Sequence, residues 1–134
     1  MHSQANNPSK HINQVLHNID FLKFFLSSDK YNDWAITVSF YIAVHVVDLA
    51  LINKNIINLT QPHEENHKYR NDSVKQHFSS IANAYMFLYR KSKSCRYKFY
   101  TPNQTEVYMI IKSALKTTLD WSDRELNTAF KFNM

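Results

Sequence analysis

Glycine is absent from all 134 residues, and its absence excludes several kinds of site. A phosphate-binding loop, a dinucleotide-binding fingerprint, a nucleophile elbow and an EF-hand loop each need glycine, at positions of positive φ or of close backbone approach. The two-residue turns of β-hairpins rely on glycine as well. The three prolines stand at predicted helix entrances. Together these features predict an all-α fold.

Cysteine is scarce, since Cys95 is the single one and cannot form an internal disulfide. The first ten residues are polar and lack the apolar core of a signal peptide. Both features favour a reducing, cytoplasmic location. The longest apolar run, residues 35–51, is interrupted by Thr37, Tyr41, His45 and Asp48, which argues against a membrane span. The length fits one domain that comprises residues 1–134.

Apolar periodicity and capping residues predict a bundle of four main helices plus one short inserted helix. The predicted helices run from Asn7-Pro8 to about Ser27, from Asn32 to about Lys54, from Asn66 to Phe78, from about Ile81 to Lys98, and onward from residues 101–104. Asn66 is the predicted N-cap of the short helix. Residues 101–104 form a capping box, with Pro102 at the first helical position, and residues 122–125 form a second box that predicts a kink or restart.

Positive charge is concentrated in one part of the chain. Residues 68–98, the basic stretch, hold eight of the sixteen Lys and Arg residues but one acidic residue, Asp72, which gives a net charge of +7. The rest of the chain is slightly acidic. Such asymmetry indicates an anionic partner, and nucleic acid is the commonest one.

Two side chains on the short helix could carry chemistry. Arg70 and His77 are seven residues apart, which places them about 20° apart on a helical wheel. They flank an inward stripe of Val74 and Phe78, so both could point into a groove or an interface. An arginine can bind phosphate through two hydrogen bonds, and a histidine can transfer a proton near neutral pH. These roles suffice for metal-free RNA cleavage, although an exposed Arg and a partly buried His without a function would show the same spacing.

The second helix carries a polar stripe through an apolar sequence. Its members follow at i, i+4, i+8 and i+11, and they are Thr37, Tyr41, His45 and Asp48. Buried polar groups need hydrogen-bond partners. The stripe is therefore either an internal network, with Arg96 as one partner, or the floor of a site that also receives Arg70.

The segment from His63 to His67 matches the H-E-x-x-H pattern of zinc proteases. Pro62 directly precedes it, no apolar residue flanks it, and no third ligand motif follows. We interpret it as a chance match and predict no metal and no cofactor. Residues 85–100 mix tyrosines with Lys and Arg, which suits base stacking and phosphate contact, although the same tyrosines could be core residues.

Three segments in order resemble one prokaryotic branch of the HEPN superfamily (higher eukaryotes and prokaryotes nucleotide-binding). They are Asp33-Trp34 with residues 40–45, His67-x-x-Arg70-Asn71-x-x-Val74, and Leu88-Tyr89-x-x-Ser92-x-x-Cys95-Arg96-Tyr97. The superfamily's nuclease signature is Arg, four to six residues, then His, often with a polar residue after the Arg. Arg70-Asn71 and His77, with six residues between Arg and His, satisfy it.

The resemblance implies a dimeric helical bundle whose Arg-His pairs face each other across a composite cleft. It implies a metal-independent endoribonuclease of a toxin–antitoxin, defence or stress system, in which Arg70 holds the scissile phosphate, His77 transfers protons and Asn71 orients either group. The predicted RNA-binding or supporting residues are Tyr41, His45, His67, Arg96, Tyr97 and Lys75.

The alternative is a non-catalytic module that dimerises or binds RNA or a nucleotide, because some members of the superfamily have lost activity. A nucleotidyltransferase-type antitoxin is a further possible partner. In some members such an enzyme silences the toxin by modifying a tyrosine two residues past the His. That position is Ser79 here, which departs from the pattern.

Overall fold

The computed structural model describes residues 7–56 and 63–134. The helices are α1 (Pro8–Leu26), α2 (Asn32–Asn53), α3 (His63–His77), α4 (Ser79–Tyr97), α5 (Gln104–Ile110) and α6 (Lys116–Glu125). A π-helical segment, Ile111–Leu115, joins α5 to α6, so these three form one continuous rod. The described residues contain no strand. The predicted all-α bundle of four long helices and one shorter inserted helix, α3, is confirmed.

Helix α2 is the centre of the bundle because nearly every side chain along it is buried. The helices α1 and α4 and the rod of α5 and α6 pack around it. By length and composition alone α2 could cross a membrane, and it is the only such helix in the described ranges. In this fold the other helices cover most of its surface, which is typical of a core helix.

Asparagine residues cap or terminate helices in this chain, which has no glycine. The side chain of Asn7 accepts a hydrogen bond from the Ser9 N–H at 3.0 Å and caps α1. Asn55, just past α2, has a φ of 57°, in the left-handed region that asparagine tolerates better than most residues. The chain therefore forms helix caps and turns without glycine.

Two predicted helix starts were wrong. Helix α3 begins at His63, so Asn66 lies within it rather than at its N-cap. At α5 the N-cap is Asn103, whose side chain accepts from the Glu106 N–H at 2.8 Å, so Pro102 precedes the helix. Asn103 stands directly before the first turn, and its side chain, rather than that of Thr101, caps the helix.

The predicted kink at residues 122–125 was also wrong, because α6 continues without a break to Glu125. The irregularity lies earlier, in the π-helical segment. There the Ser113 hydroxyl bonds to the Met109 carbonyl at 2.7 Å, a side-chain bond that competes with the helical backbone ladder. Asp123 binds the returning C-terminal segment instead. Its carboxylate accepts from the backbone N–H groups of Phe130 and Lys131, both at 2.8 Å.

Candidate functional site

The polar stripe of α2 has partners on three neighbouring helices. The Asp48 carboxylate pairs with Arg70 of α3, the Tyr41 hydroxyl accepts from Arg96 of α4 at 3.3 Å, and the His45 ring contacts His11 of α1. Thr37 instead donates to the Asp33 carbonyl of its own helix. The two arginines anticipated as partners therefore both contact the stripe. We use the name buried polar cluster for the following side chains: His11, Tyr41, His45, Asp48, His67, Arg70 and Arg96.

The strongest contact of the buried polar cluster joins Arg70 to Asp48. The guanidinium donates from Nε to Oδ1 at 2.7 Å and from Nη2 to Oδ2 at 3.1 Å, so the pair is two-pronged. Arg70 is 8% exposed and Asp48 is 1% exposed. Burial alone would lower the pKa of Arg70, but its hydrogen bonds and charge contact with Asp48 raise it. Arg70 is therefore charged, and the pair fixes the orientation of the guanidinium.

His45 and His11 form the second contact, between α2 and α1. Their Nδ1 atoms are 2.8 Å apart and their ring centroids 5.1 Å apart. Burial, the neighbouring His11 and the nearby Arg70 together lower the pKa of His45 to about 4. The His45 imidazole is consequently neutral at physiological pH.

Arg96 lies in an aromatic setting on α4. Its guanidinium carbon is 5.0 Å from the ring centroid of Tyr97 and 5.7 Å from those of Phe40 and Tyr41. Its Nε also donates to the Ser92 hydroxyl at 3.1 Å. Tyr97, by contrast, is 65% exposed. Arg96 is thus held in place by aromatic faces, while the Tyr97 ring is presented to solvent.

His67 turns inward rather than toward a metal-binding surface. It is 8% exposed, and its ring lies 5.7 Å from Phe40, 6.1 Å from Tyr89 and 6.5 Å from Tyr41. The His63 side chain, the other histidine of the H-E-x-x-H match, lies outside the described residues. His67 therefore packs among aromatic rings, one of which is Tyr41 of the buried polar cluster.

His77 lies apart from the buried polar cluster, at the last turn of α3. Its side chain is exposed and lines a pocket of about 390 Å³, which we call the His77 pocket. Lys54, Ser79 and Ser80 also line it. The N-terminus of α4 begins there, and no side chain caps it. Lys54 and the N-terminus of the helix contribute positive charge to this pocket, and Glu125, which also lines it, contributes a negative charge.

Arg70 and His77 do not contact each other. Over seven helical residues they are separated by about 10 Å along the axis of α3. Arg70 points toward α2, whereas His77 points to solvent. Asn71 lies beside Arg70, and its side-chain oxygen is buried without a hydrogen bond from any described residue. Lys75 is exposed. The joint action of Arg70, Asn71 and His77 stays a prediction.

The sequence reasoning did not include His11 among the candidate residues. A signal was present, because His11 precedes Val15, Ile19 and Leu22 at helical spacings of four, four and three residues, and all of these positions of α1 are buried. A histidine at a core position needs a polar partner. The identity of that partner, His45, depends on how α1 packs against α2, and one sequence does not show this.

No family model matches the chain, and no curated protein or solved structure is similar to it.

Proposed function

We propose that the protein is a metal-independent endoribonuclease of the HEPN type, with His77 as the group that transfers protons. One observation carries the proposal: His77 is exposed in a pocket that also holds Lys54 and the uncapped start of α4. A solvent-accessible imidazole can give a proton to a bound substrate or take one from it, as general acid–base catalysis requires. Lys54 and the helix N-terminus favour a phosphate at the same place, against the opposing charge of Glu125.

Arg70 is the proposed phosphate-binding residue, and Asn71 the residue that orients it. The bond to Asp48 uses Nε and Nη2, which leaves Nη1 without a hydrogen bond among the described residues. A guanidinium whose orientation is already fixed loses little conformational freedom on binding an anion. Arg70 is nevertheless largely covered, so contact with an RNA phosphate requires a local opening of the space beside α3.

A homodimer completes the proposed reaction. In-line cleavage needs a base on the 2′-hydroxyl and an acid on the leaving 5′-oxygen, on opposite sides of the phosphate. One protomer supplies one His77, and the second protomer, related to the first by a twofold axis, supplies the other. Val74 and Phe78 are buried in the protomer's own core, with Phe78 5.4 Å from Trp121. The proposed interface therefore lies on the exposed His77 side of α3.

The basic stretch is the proposed RNA-binding surface. Lys75, Lys93 and Tyr97 are exposed, and Arg96 supports the Tyr97 ring from one side. Lysines bind the phosphate backbone, and an exposed aromatic ring stacks on an unpaired base. His45 and His67 would support this surface from the interior. A toxin–antitoxin, defence or stress role follows only from the HEPN resemblance and is part of the same proposal.

A second candidate function is a non-catalytic RNA- or nucleotide-binding module. The buried ion pair of Arg70 and Asp48 favours this function, because the guanidinium that catalysis would require is already bound to Asp48. In this case α3 is a structural helix, and the basic stretch binds nucleic acid without cleaving it.

Incubation of the purified chain with mixed RNA in EDTA distinguishes the two candidates. The ribonuclease produces fragments with 2′,3′-cyclic phosphate ends, and the binding module produces salt-sensitive complexes with intact RNA. His17 of α1 is an exposed histidine outside the basic stretch, so His17→Ala is the matched control for His77→Ala. Equal cleavage by these two variants would identify a contaminating nuclease and reject the proposal.

A further inference from the structure

Two imidazoles and one carboxylate of the buried polar cluster converge between α1 and α2. They belong to His11, His45 and Asp48, and one potential ligand atom from each lies within 4.8 Å of the other two. His11 and Asp48 are buried, and His45 is partly exposed. We propose that these three side chains bind a divalent first-row transition-metal ion of the zinc type, which goes beyond the proposed ribonuclease function.

The backbone favours this convergence. His45 and Asp48 are at i and i+3 of one helix, so they lie on the same face, and His11 enters from the neighbouring helix α1. The Nδ1 atoms of the two histidines are 2.8 Å apart. Two nitrogens bound tetrahedrally to zinc lie about 3.3 Å apart. A shift of about half an ångström at one ring therefore converts the contact into two metal bonds.

The donor set indicates the class of metal. Two imidazole nitrogens and one carboxylate oxygen suit zinc and its neighbours, whereas magnesium and calcium prefer oxygen ligands alone. The three donor atoms therefore indicate a zinc-type ion rather than magnesium or calcium.

Arg70 would orient the carboxylate rather than compete with the metal. It donates to both oxygens of Asp48, and each carboxylate oxygen still has a further lone pair. Carboxylates that bind metals are commonly held by such an outer hydrogen bond. Three protein ligands leave one tetrahedral position for water, on the partly exposed side near His45.

The metal would fasten α1 to α2. His11 lies in the first turns of α1, close to the start of the described chain, where a helix otherwise tends to fray. A bond from His11 through the metal to α2 would hold this end in place. The predicted effect is on stability, so it does not depend on RNA cleavage.

Zinc titration of the EDTA-treated, desalted full chain tests the proposal. We expect about one equivalent of zinc to remain after gel filtration, since metal sites of this type bind tightly, and we expect the melting temperature to rise. Cobalt(II) should give the visible absorption of a four- or five-coordinate complex with nitrogen and oxygen ligands. His11→Ala should abolish both responses, whereas the matched control His17→Ala, on the exposed face of the same helix, should retain them.

His11→Gln is the second variant, in case His11→Ala weakens the folding of α1. It keeps a polar side chain of similar length but provides no imidazole. The proposal is overturned if the wild-type chain retains less than about a tenth of an equivalent of zinc. It is overturned as well if His11→Gln and His17→Ala bind zinc equally, because binding then occurs elsewhere on the chain.

Discussion

The guanidinium of Arg70 binds the carboxylate of Asp48 through two hydrogen bonds, of 2.7 and 3.1 Å, inside the protein. The bond connects α3 to the central helix α2 and places a positive charge beside His45. The arginine that the motif assigns to phosphate binding is thus also a structural residue. A loss of activity on changing Arg70 would therefore not by itself demonstrate catalysis.

Removal of one partner of this pair should destabilise the fold strongly. Arg70→Ala leaves a buried, unpaired carboxylate, and we expect a loss of about 3–5 kcal/mol in the free energy of unfolding. Urea denaturation measures it. The control is Lys68→Ala on the same helix, which removes the exposed pair with Asp72 and should cost less than about 1 kcal/mol.

The double variant Arg70→Met with Asp48→Leu completes this test. Apolar side chains can replace a buried ion pair with little loss, so this variant should recover much of the stability lost in Arg70→Ala. Similar losses for Arg70→Ala and Lys68→Ala would show that Arg70 is exposed to solvent and not engaged by Asp48.

RNA affinity should depend on the exposed lysines of the basic stretch. Lys75→Ala and Lys93→Ala should each weaken binding by a similar amount on all sequences, and each should lower the slope of log affinity against log salt by about one. Fluorescence anisotropy at several salt concentrations measures both quantities. Lys23→Ala, on α1 and outside the basic stretch, is the matched control and should leave the slope unchanged. An equal loss for Lys23→Ala would mean that the charge effect is general and not local.

The chain should be a homodimer in solution. Sedimentation at micromolar concentration should give about twice the monomer mass of 15.9 kDa, since an interface of standard size is stable there. Cysteine introduced at Gln76, an exposed neighbour of His77, should then form a disulfide between protomers. A strict monomer, or a dimer without this cross-link, would contradict the composite cleft.

Asp123 should make the C-terminal segment sensitive to acid. Partial burial raises its pKa, but hydrogen bonds from Thr128 and from the Lys131 and Phe130 backbone lower it below the ordinary value of 3.8. A carboxylate with a lowered pKa stabilises the fold above the unfolded-state value, and this contribution is lost as the pH falls through the folded-state value.

The corresponding variant is Asp123→Asn. Its melting temperature should be lower than that of the wild type at pH 7, and the difference should shrink below about pH 4. Asp120→Asn, which removes only an exposed pair with Lys116, should have a small effect at both pH values. A difference for Asp123→Asn that stays constant from pH 7 to acid would show that its carboxylate charge is not involved.

The bundle could be predicted from the sequence because the signals for it are local. The apolar stripe of α1 and the largely apolar sequence of α2 each indicate one helix, and the absence of glycine argues against tight hairpin turns. The helix starts were less accurate, since neighbouring residues carry similar capping signals, as at α5, where Asn103 rather than Thr101 is the N-cap.

The candidate site could be predicted only in part. Tyr41, His45 and Asp48 were found because a polar stripe is unusual in an apolar helix, and the partnership of that stripe with Arg70 and Arg96 was anticipated. The partnership of His11 with His45 was not, since it crosses from one helix to another over 34 residues. Spacing on a single helix likewise did not reveal that Arg70 points inward while His77 points to solvent.

The cleavage rate of His77→Ala, relative to His17→Ala, tests the central claim most directly. His77 is exposed and makes no structural hydrogen bond among the described residues, so its removal should leave the free energy of unfolding unchanged. If His77 transfers protons, single-turnover cleavage of RNA in EDTA should fall by about 100-fold or more in His77→Ala and stay at the wild-type rate in His17→Ala. Equal rates in both variants would contradict the account, however similar their folds.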